Sequence, residues 1–306
     1  MARRFITSEC IKDLMRDGKT FLETTKSDVI TPDAKDFAER HGFVLHSGGF
    51  RKPFVCGNWK MNGDLSFTMK FFEDLMAWCQ RKRDIWKSTD IMLAPPSPLL
   101  LAALPIVNKT PLFLAAQNGY HKEKGAFTGE NSMEILKSCG VKIVLTGHSE
   151  RRHIFGETDE IINLKTKKAL ELSLIPILCI GEQLEERENG SMYDIIKSQL
   201  IKGFDGIQKN KAADVIVAYE PVWAIGTGKV ASLEDIDSMH KFIRNTIKEL
   251  YGEENSAHMR ILYGGSVNGK NSFEISNISD VDGVLVGGAS LKIDEFIKII
   301  ENFSGK

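Results

Sequence analysis

The sequence predicts an α/β protein, a (β/α)8 barrel preceded by a short, mostly helical N-terminal extension. Three observations lead there. Short apolar runs recur eight times after residue 53, amphipathic stretches of helical length separate them, and the first 53 residues lack this pattern. The runs are FVCGN (54–58), DIMLA (90–94), LFLAA (112–116), KIVLT (142–146), IPILCI (175–180), VIVAYE (215–220), RILYG (260–264) and GVLVG (283–287). Strands apolar on both faces imply a sheet covered by helices. LSFTMKFFEDLMAWCQ and DEIINLKTKKALELS are two of the covering helices. Eight strand–helix units in about 250 residues fit a closed barrel. An open doubly wound sheet alternates in the same way, and the count of eight favours the barrel. The expected division is 1–53 for extension and linker and 54–306 for the barrel.

The extension carries two helix signals. Ser8 is placed to cap a short helix over ECIKDLMRD, ended by Gly18. VITPDAKDFAERHG is sharper: Thr31 as N-cap, Pro32 at the first helical position, early acids and Gly42 as stop. HSGGFRKP (His46 to Pro53) reads as a linker.

Composition narrows the function classes. The 306 residues are 42% hydrophobic and 26% charged with a formal net charge of -1, so neither nucleic acid nor an anionic membrane is an expected partner. No apolar run approaches the roughly 18 residues of a membrane span. Five cysteines, none in a CxxC spacing, fit a reducing cytoplasm better than a disulfide framework. The N-terminal MARRFITSECIKDL has no apolar core of signal-peptide length. Residues 1–40 carry Glu9, Asp13, Asp17, Glu23, Asp28, Asp33, Asp36 and Glu39, too acidic for a transit peptide. The expected location is cytoplasmic.

Active sites of such barrels lie at the C-terminal ends of the strands. The polar residues at those ends are Asn58 and Lys60 after the first strand, His148 and Glu150 after the fourth, Glu220 ending the sixth, Ser266 after the seventh, and Gly287 and Gly288 after the eighth. This set holds one candidate base, one imidazole, one cation and two glycine-rich turns able to aim N–H groups at a phosphate. Taken singly, each residue also reads as a loop acid, a core histidine, a surface lysine or a turn. Their joint position at one end of an eight-unit pattern is the argument for function. Glu150, Arg151 and Arg152 also suit a structural ion-pair network. Two other motifs fail. GTGKVA fits G-x-G-x-x-A but does not directly follow its strand, and as a P-loop it has Trp223 for the first glycine and Val230 for Ser or Thr. The seven histidines show neither HxxxH nor HExxH, so no metal and no cofactor are expected.

At these residues the chain resembles the triosephosphate isomerase family. The shared segments are NWKMN (Asn58 to Asn62), AAQN (Ala115 to Asn118), GAFTGE (Gly125 to Glu130), GHSERR (Gly147 to Arg152), CIGE (Cys179 to Glu182), YEPVWAIGTGK (Tyr219 to Lys229), YGGSV (Tyr263 to Val267) and GGASL (Gly287 to Leu291). They run in family order from Phe54 to about Phe303. Thr146, Asn131 and Val230 stand where the family more often has other residues, and none of the three touches the chemistry. The resemblance implies a TIM barrel that interconverts dihydroxyacetone phosphate and glyceraldehyde 3-phosphate without cofactor. It implies Glu220 as the base, His148 as a neutral electrophile, and Lys60 and Asn58 as stabilisers of the enediolate. Backbone groups near Gly226, Ser266, Gly287 and Gly288 would hold the phosphate, with Ser149 and Glu150 in support. Pro221, Val222, Trp223, Ala224, Ile225, Gly226, Thr227, Gly228 and Lys229 would form a hinged lid over the intermediate, bending at the proline and the glycines. Other phosphate-binding barrel enzymes would not carry these segments together, and an inactive scaffold would not need Asn58, Lys60, His148 and Glu220 intact. The family further implies a homodimer in which the loop around Thr128 inserts near Asn58 and Lys60 of a second subunit. Residues 1–53 are extra to the family. ITPxAxxxAxxxGF within them resembles leader segments of ethanolamine-utilisation proteins of bacterial microcompartments, so residues 1–46 are a candidate docking segment; packing on the chain's own barrel is the alternative.

Overall fold

The computed structural model describes residues 4–17, 21–24, 28–47, 51–108, 110–224 and 230–305. The chain forms two compact units, Met1–Lys52 and Pro53–Lys306.

The first unit runs strand, helix, strand twice over. Its strands are β1 (Phe5–Ile6), β2 (Phe21–Thr24), β3 (Val29–Ile30) and β4 (Val44–Ser47). Helices Ser8–Arg16 and Pro32–Arg40 occupy equivalent places in the two halves. β1 pairs in parallel with β3, and β2 with β4, so each ladder joins one half to the other. Ile6, Ile11, Ala34, Ala38 and Phe43 form a small buried core drawn from both halves. The helix signals of the sequence are matched, while the four short strands between them were not expected. Strands of two and four residues carry too little periodicity to read. The first cap is corrected: Thr7, not Ser8, caps the first helix, accepting from the Cys10 N–H at 3.4 Å. The Ser8 hydroxyl donates instead to Asp33 Oδ2 at 2.7 Å, tying the two helix starts together. Thr31 does precede Pro32, but its hydroxyl donates to the Ile6 carbonyl rather than capping its own helix. The proposed stop at Gly18 lies outside the described residues.

The second unit is a closed, all-parallel barrel of eight strands: β5 (Phe54–Asn58), β6 (Asp90–Ala94), β7 (Phe113–Ala116), β8 (Ile143–Thr146), β9 (Ile175–Ile180), β10 (Ile216–Tyr219), β11 (Ile261–Tyr263) and β12 (Gly283–Val286). β12 pairs with β5 to close the ring. Alternate strand residues point inward. Phe54, Cys56, Met92, Ala115, Ile143, Ile177, Cys179, Ala218, Leu262 and Leu285 fill the lumen. Their neighbours Val55, Leu93, Val144, Leu178, Val217 and Val284 face the helices. Both faces are therefore buried, which is why the strands read as unbroken apolar runs. Thr146 is the polar exception in β8; its hydroxyl lies 3.1 Å from that of Thr166.

The covering helices start and stop on local chemistry. Asp64 caps Leu65–Arg81 by accepting from the Phe67 N–H at 2.7 Å. Ser232 and Asp235 form a reciprocal capping box at the start of Leu233–Tyr251. Among the described residues no helix is long and apolar enough to cross a membrane.

Candidate active site

At the C-terminal mouth of the barrel lies a cleft of about 590 Å³. Asn58, Lys60, His148, Glu220, Ser266, Gly287 and Gly288 all line it. Residues far apart in sequence are brought together because each follows its own strand.

Glu220 follows β10. Its N–H donates to the Ile180 carbonyl at 2.7 Å, so the barrel ladder fixes the Cα. Only 2% of the side chain is exposed. Oε2 accepts from the Ser149 N–H at 2.9 Å, and Oε1 lies 3.2 Å from His148 Nε2. Two glycines make this placement possible. A Cβ on Gly181 would lie 1.8 Å from the Glu220 carbonyl oxygen, and one on Gly264 would lie 2.8 Å from Glu220 Cγ. A larger residue at 181 would have to displace the Glu220 backbone, and one at 264 its side chain.

His148 caps the short helix Ser149–His153 with its own ring: Nδ1 accepts from the Glu150 N–H at 3.3 Å. A backbone N–H can only donate, so Nδ1 carries no proton and Nε2 does. The ring thus presents its Nε2–H to the cleft.

Lys60 sits in the left-handed region at φ +52°, a strained state costing about 1 kcal/mol or more for a residue with a Cβ. Its N–H donates to Asn58 Oδ1 at 3.0 Å, and its carbonyl accepts from Gln117 Nε2 at 2.8 Å. Gln117 also donates to the Ala94 carbonyl at 2.8 Å, tying the turn to β6. Lys60 Nζ pairs with Glu150 Oε1 at 2.6 Å. Its Cε passes 3.5 Å from where a Cβ on Gly287 would be, so amine stem and glycine turn are neighbours.

Behind Glu220 lies the stretch that begins at Pro221. Glu182 is fully buried, and its Oε1 accepts from Tyr219 OH at 3.0 Å and from Trp223 Nε1 at 2.7 Å. Burial raises the Glu182 carboxyl above its usual range despite these donors. The Arg187 guanidinium stacks 4.5 Å over the Trp223 ring and pairs with Asp235 at 2.5 Å. Pro221, Val222, Trp223 and Ala224 are described and begin the segment. Ile225, Gly226, Thr227, Gly228 and Lys229 lie outside the described residues, including the phosphate contact expected of Gly226.

Gln117, Gly181, Glu182 and Gly264 were not singled out as site residues in the sequence. Each lies inside a recognised segment (AAQN, CIGE or YGGSV), and that is the only signal they give. The arginines of GHSERR do form ion pairs: Arg151 with Glu157, which also holds the buried Lys165, and Arg152 with Asp159 at 2.6 Å. Arg152 also donates to the Gly147 and Cys179 carbonyls, which links the His148 turn to the end of β9. Burial pushes the Cys179 thiol well above its usual range, so it stays protonated.

A closed barrel whose mouth holds a buried carboxylate against an Nε2-protonated imidazole, with an amine beside glycine turns, defines a barrel enzyme equipped for acid–base chemistry on a small anion. Comparison with known proteins narrows the class. A family profile described as triosephosphate isomerase matches residues 53–303. Triosephosphate isomerase of Alkaliphilus metalliredigens is 46% identical over 252 residues, which is 82% of this chain and 99% of that protein. The enzymes of Alkaliphilus oremlandii, 47% identical over 251 residues, and Fusobacterium nucleatum, 44% over 254 residues, each cover 82% of this chain and 99% and 98% of their own lengths. The chain belongs to the triosephosphate isomerase family.

Proposed function

We propose that the protein reversibly interconverts dihydroxyacetone phosphate and D-glyceraldehyde 3-phosphate, a step shared by glycolysis and gluconeogenesis, by proton transfer through an enediol(ate). Glu220 takes the carbon-bound proton beside the carbonyl and returns it to the neighbouring carbon. A carbon acid is weak, so the base must be held close and dry. The 2% exposure of its side chain supports that role. His148 polarises the carbonyl through Nε2–H. Being neutral, it matches the acidity of the enediol instead of protonating it outright. Lys60 and Asn58 stabilise the developing oxyanion. Ser149 holds the base from behind, and Glu150 holds Lys60. Gly226, Ser266, Gly287 and Gly288 receive the phosphate on backbone N–H groups. Pro221 through Lys229 close over the intermediate and exclude water, which would otherwise allow phosphate elimination.

The observation that carries this reading is the approach of Glu220 Oε1 to His148 Nε2, 3.2 Å, inside a cleft also lined by Lys60. The test is an assay of purified protein with glyceraldehyde 3-phosphate, coupled to reduction of the dihydroxyacetone phosphate formed. Turnover supports the assignment. Its absence in folded protein rejects it.

The enzyme works as a homodimer through the loop around Thr128. Exposed Met61, Ile154 and Phe155, at 94%, 72% and 65%, support this, as does a cleft of about 330 Å³ beside Lys60 and Gln117. Light scattering that finds a fully active monomer would reject it. Residues 1–46 dock the enzyme to a protein assembly such as a bacterial microcompartment. Their separate core supports a module of their own. Co-sedimentation of a reporter bearing them with shell proteins tests this, and no association favours simple packing. The five thiols, all free, support a cytoplasmic location.

A further inference from the structure

His240 lies midway along Leu233–Tyr251, the helix capped by Ser232 just beyond the lid segment. Its ring is fully buried. It packs on two tyrosines, edge-on to Tyr219 with centroids 5.9 Å apart and tilted against Tyr263 at 6.3 Å. The tyrosines are register partners on β10 and β11, with rings 6.4 Å apart. Tyr219 immediately precedes Glu220. Tyr263 immediately precedes Gly264, Gly265 and Ser266. One imidazole therefore touches the neighbour of the base and the neighbour of a phosphate turn, from the helix that follows the lid segment.

Its chemistry fits more than filling. Nδ1 lies 3.0 Å from the Asp280 carbonyl, which only accepts, so Nδ1 carries the proton and Nε2 is a bare acceptor. Burial lowers its pKa to about 4, so the ring is neutral near pH 7. Nε2 has no hydrogen-bond partner among the described residues, and neither has the buried hydroxyl of Tyr263. A buried acceptor left unmatched is unfavourable, and a phenylalanine would not carry one. An acceptor and a donor, both buried, thus lie on rings in contact and form a joint between this helix and the two strands.

We propose that His240 is a positioning residue for the isomerisation, holding Tyr219 and Tyr263, and through them Glu220 and the Gly264–Ser266 turn, in one fixed relation. Nε2 is the acceptor open to the Tyr263 hydroxyl, directly or through one water. The proposal rests on the isomerase reading. It says that the phosphate helps the reaction through this joint.

The test compares glyceraldehyde 3-phosphate with glyceraldehyde, which has the same reacting carbons and no phosphate, in wild type, His240→Phe and His240→Asn. Melting temperatures are measured alongside. His240→Asn keeps a side-chain donor near the Asp280 carbonyl and serves if His240→Phe does not fold. The expected result is a fall in kcat of about 10-fold or more with the phosphorylated substrate, little change in KM, and less than about 3-fold change in kcat/KM for glyceraldehyde. In addition, Tyr263→Phe combined with His240→Asn should lose no more than the worse single variant. Equal losses on both substrates, no loss on either, or multiplicative effects in the double variant would overturn the proposal. Wild-type protein inert toward glyceraldehyde 3-phosphate would overturn the isomerase reading and this inference with it.

Discussion

Glu220 is set by backbone, not by a flexible stem: one bond to the Ile180 carbonyl and two glycines that leave it room. Shortening it by one methylene therefore withdraws the carboxylate with no compensating shift. Glu220→Asp should lower kcat by about 100-fold or more while KM changes by less than about 3-fold, read from initial rates. A kcat near that of wild type would remove Glu220 from its role. Glu220, His148 and Lys60 were legible in the sequence because each ends or follows an apolar run, and position at a strand end is a one-dimensional fact. Gln117 and Glu182 were not. Gln117 matters because it bonds to the carbonyls of Lys60 and Ala94, and Glu182 because Tyr219 and Trp223 converge on it. Such convergence exists only after folding. Gly181 and Gly264 read as ordinary turn glycines until the Glu220 atoms beside them are located.

The strands were legible almost to the residue. DIMLA and IPILCI coincide with β6 and β9, and VIVAYE overshoots β10 by one residue at each end. Burial on both faces makes the apolar run itself the signal. The short strands of the first unit gave no such run, and the Thr7 cap was missed because Thr7 and Ser8 are adjacent and equally suited. Packing against Asp33 decides between them. One element joint invites measurement. Arg244, on Leu233–Tyr251, donates to Asp280 Oδ1 at 3.0 Å and Asp282 Oδ2 at 2.5 Å, and to the Ser256 carbonyl at 2.7 Å. Asp282 also accepts from the Ile261 N–H at the start of β11. Arg244→Met leaves the carboxylate of Asp282, 3% exposed, without this partner. Unfolding in denaturant should show a loss of about 3–5 kcal/mol. A loss under about 1 kcal/mol would mean the cluster does not brace that end of the barrel.

At the scale of the whole molecule, the family match begins at residue 53, at the boundary of the second compact unit. Protein lacking residues 1–52 should keep kcat and KM within about 3-fold of the full chain. Loss of activity in a folded truncation would show that the first unit serves the chemistry. Stability should also depend on pH in a defined window. His240 refuses a proton in the folded state down to about pH 4, whereas the unfolded chain accepts one near 6.5. The unfolded state thus binds more protons between those values. Stability falls as pH drops from about 6.5 to about 4, by up to about 3 kcal/mol from this group, and this contribution levels off below. Glu157, which burial would raise but the Lys165 and Arg151 partners hold low, adds its own loss at still lower pH. Denaturant midpoints at pH 7 and pH 4.5 should differ less in His240→Phe than in wild type, and equal differences would contradict this.

The central claim is that Glu220 moves a carbon-bound proton. It is tested most directly by incubating the protein with dihydroxyacetone phosphate in D2O and following the substrate carbons by proton NMR. Wild type should introduce deuterium at the reacting carbon and form labelled glyceraldehyde 3-phosphate, with both signals lost in Glu220→Gln. Product formed with no deuterium uptake, or exchange that survives in Glu220→Gln, would contradict it.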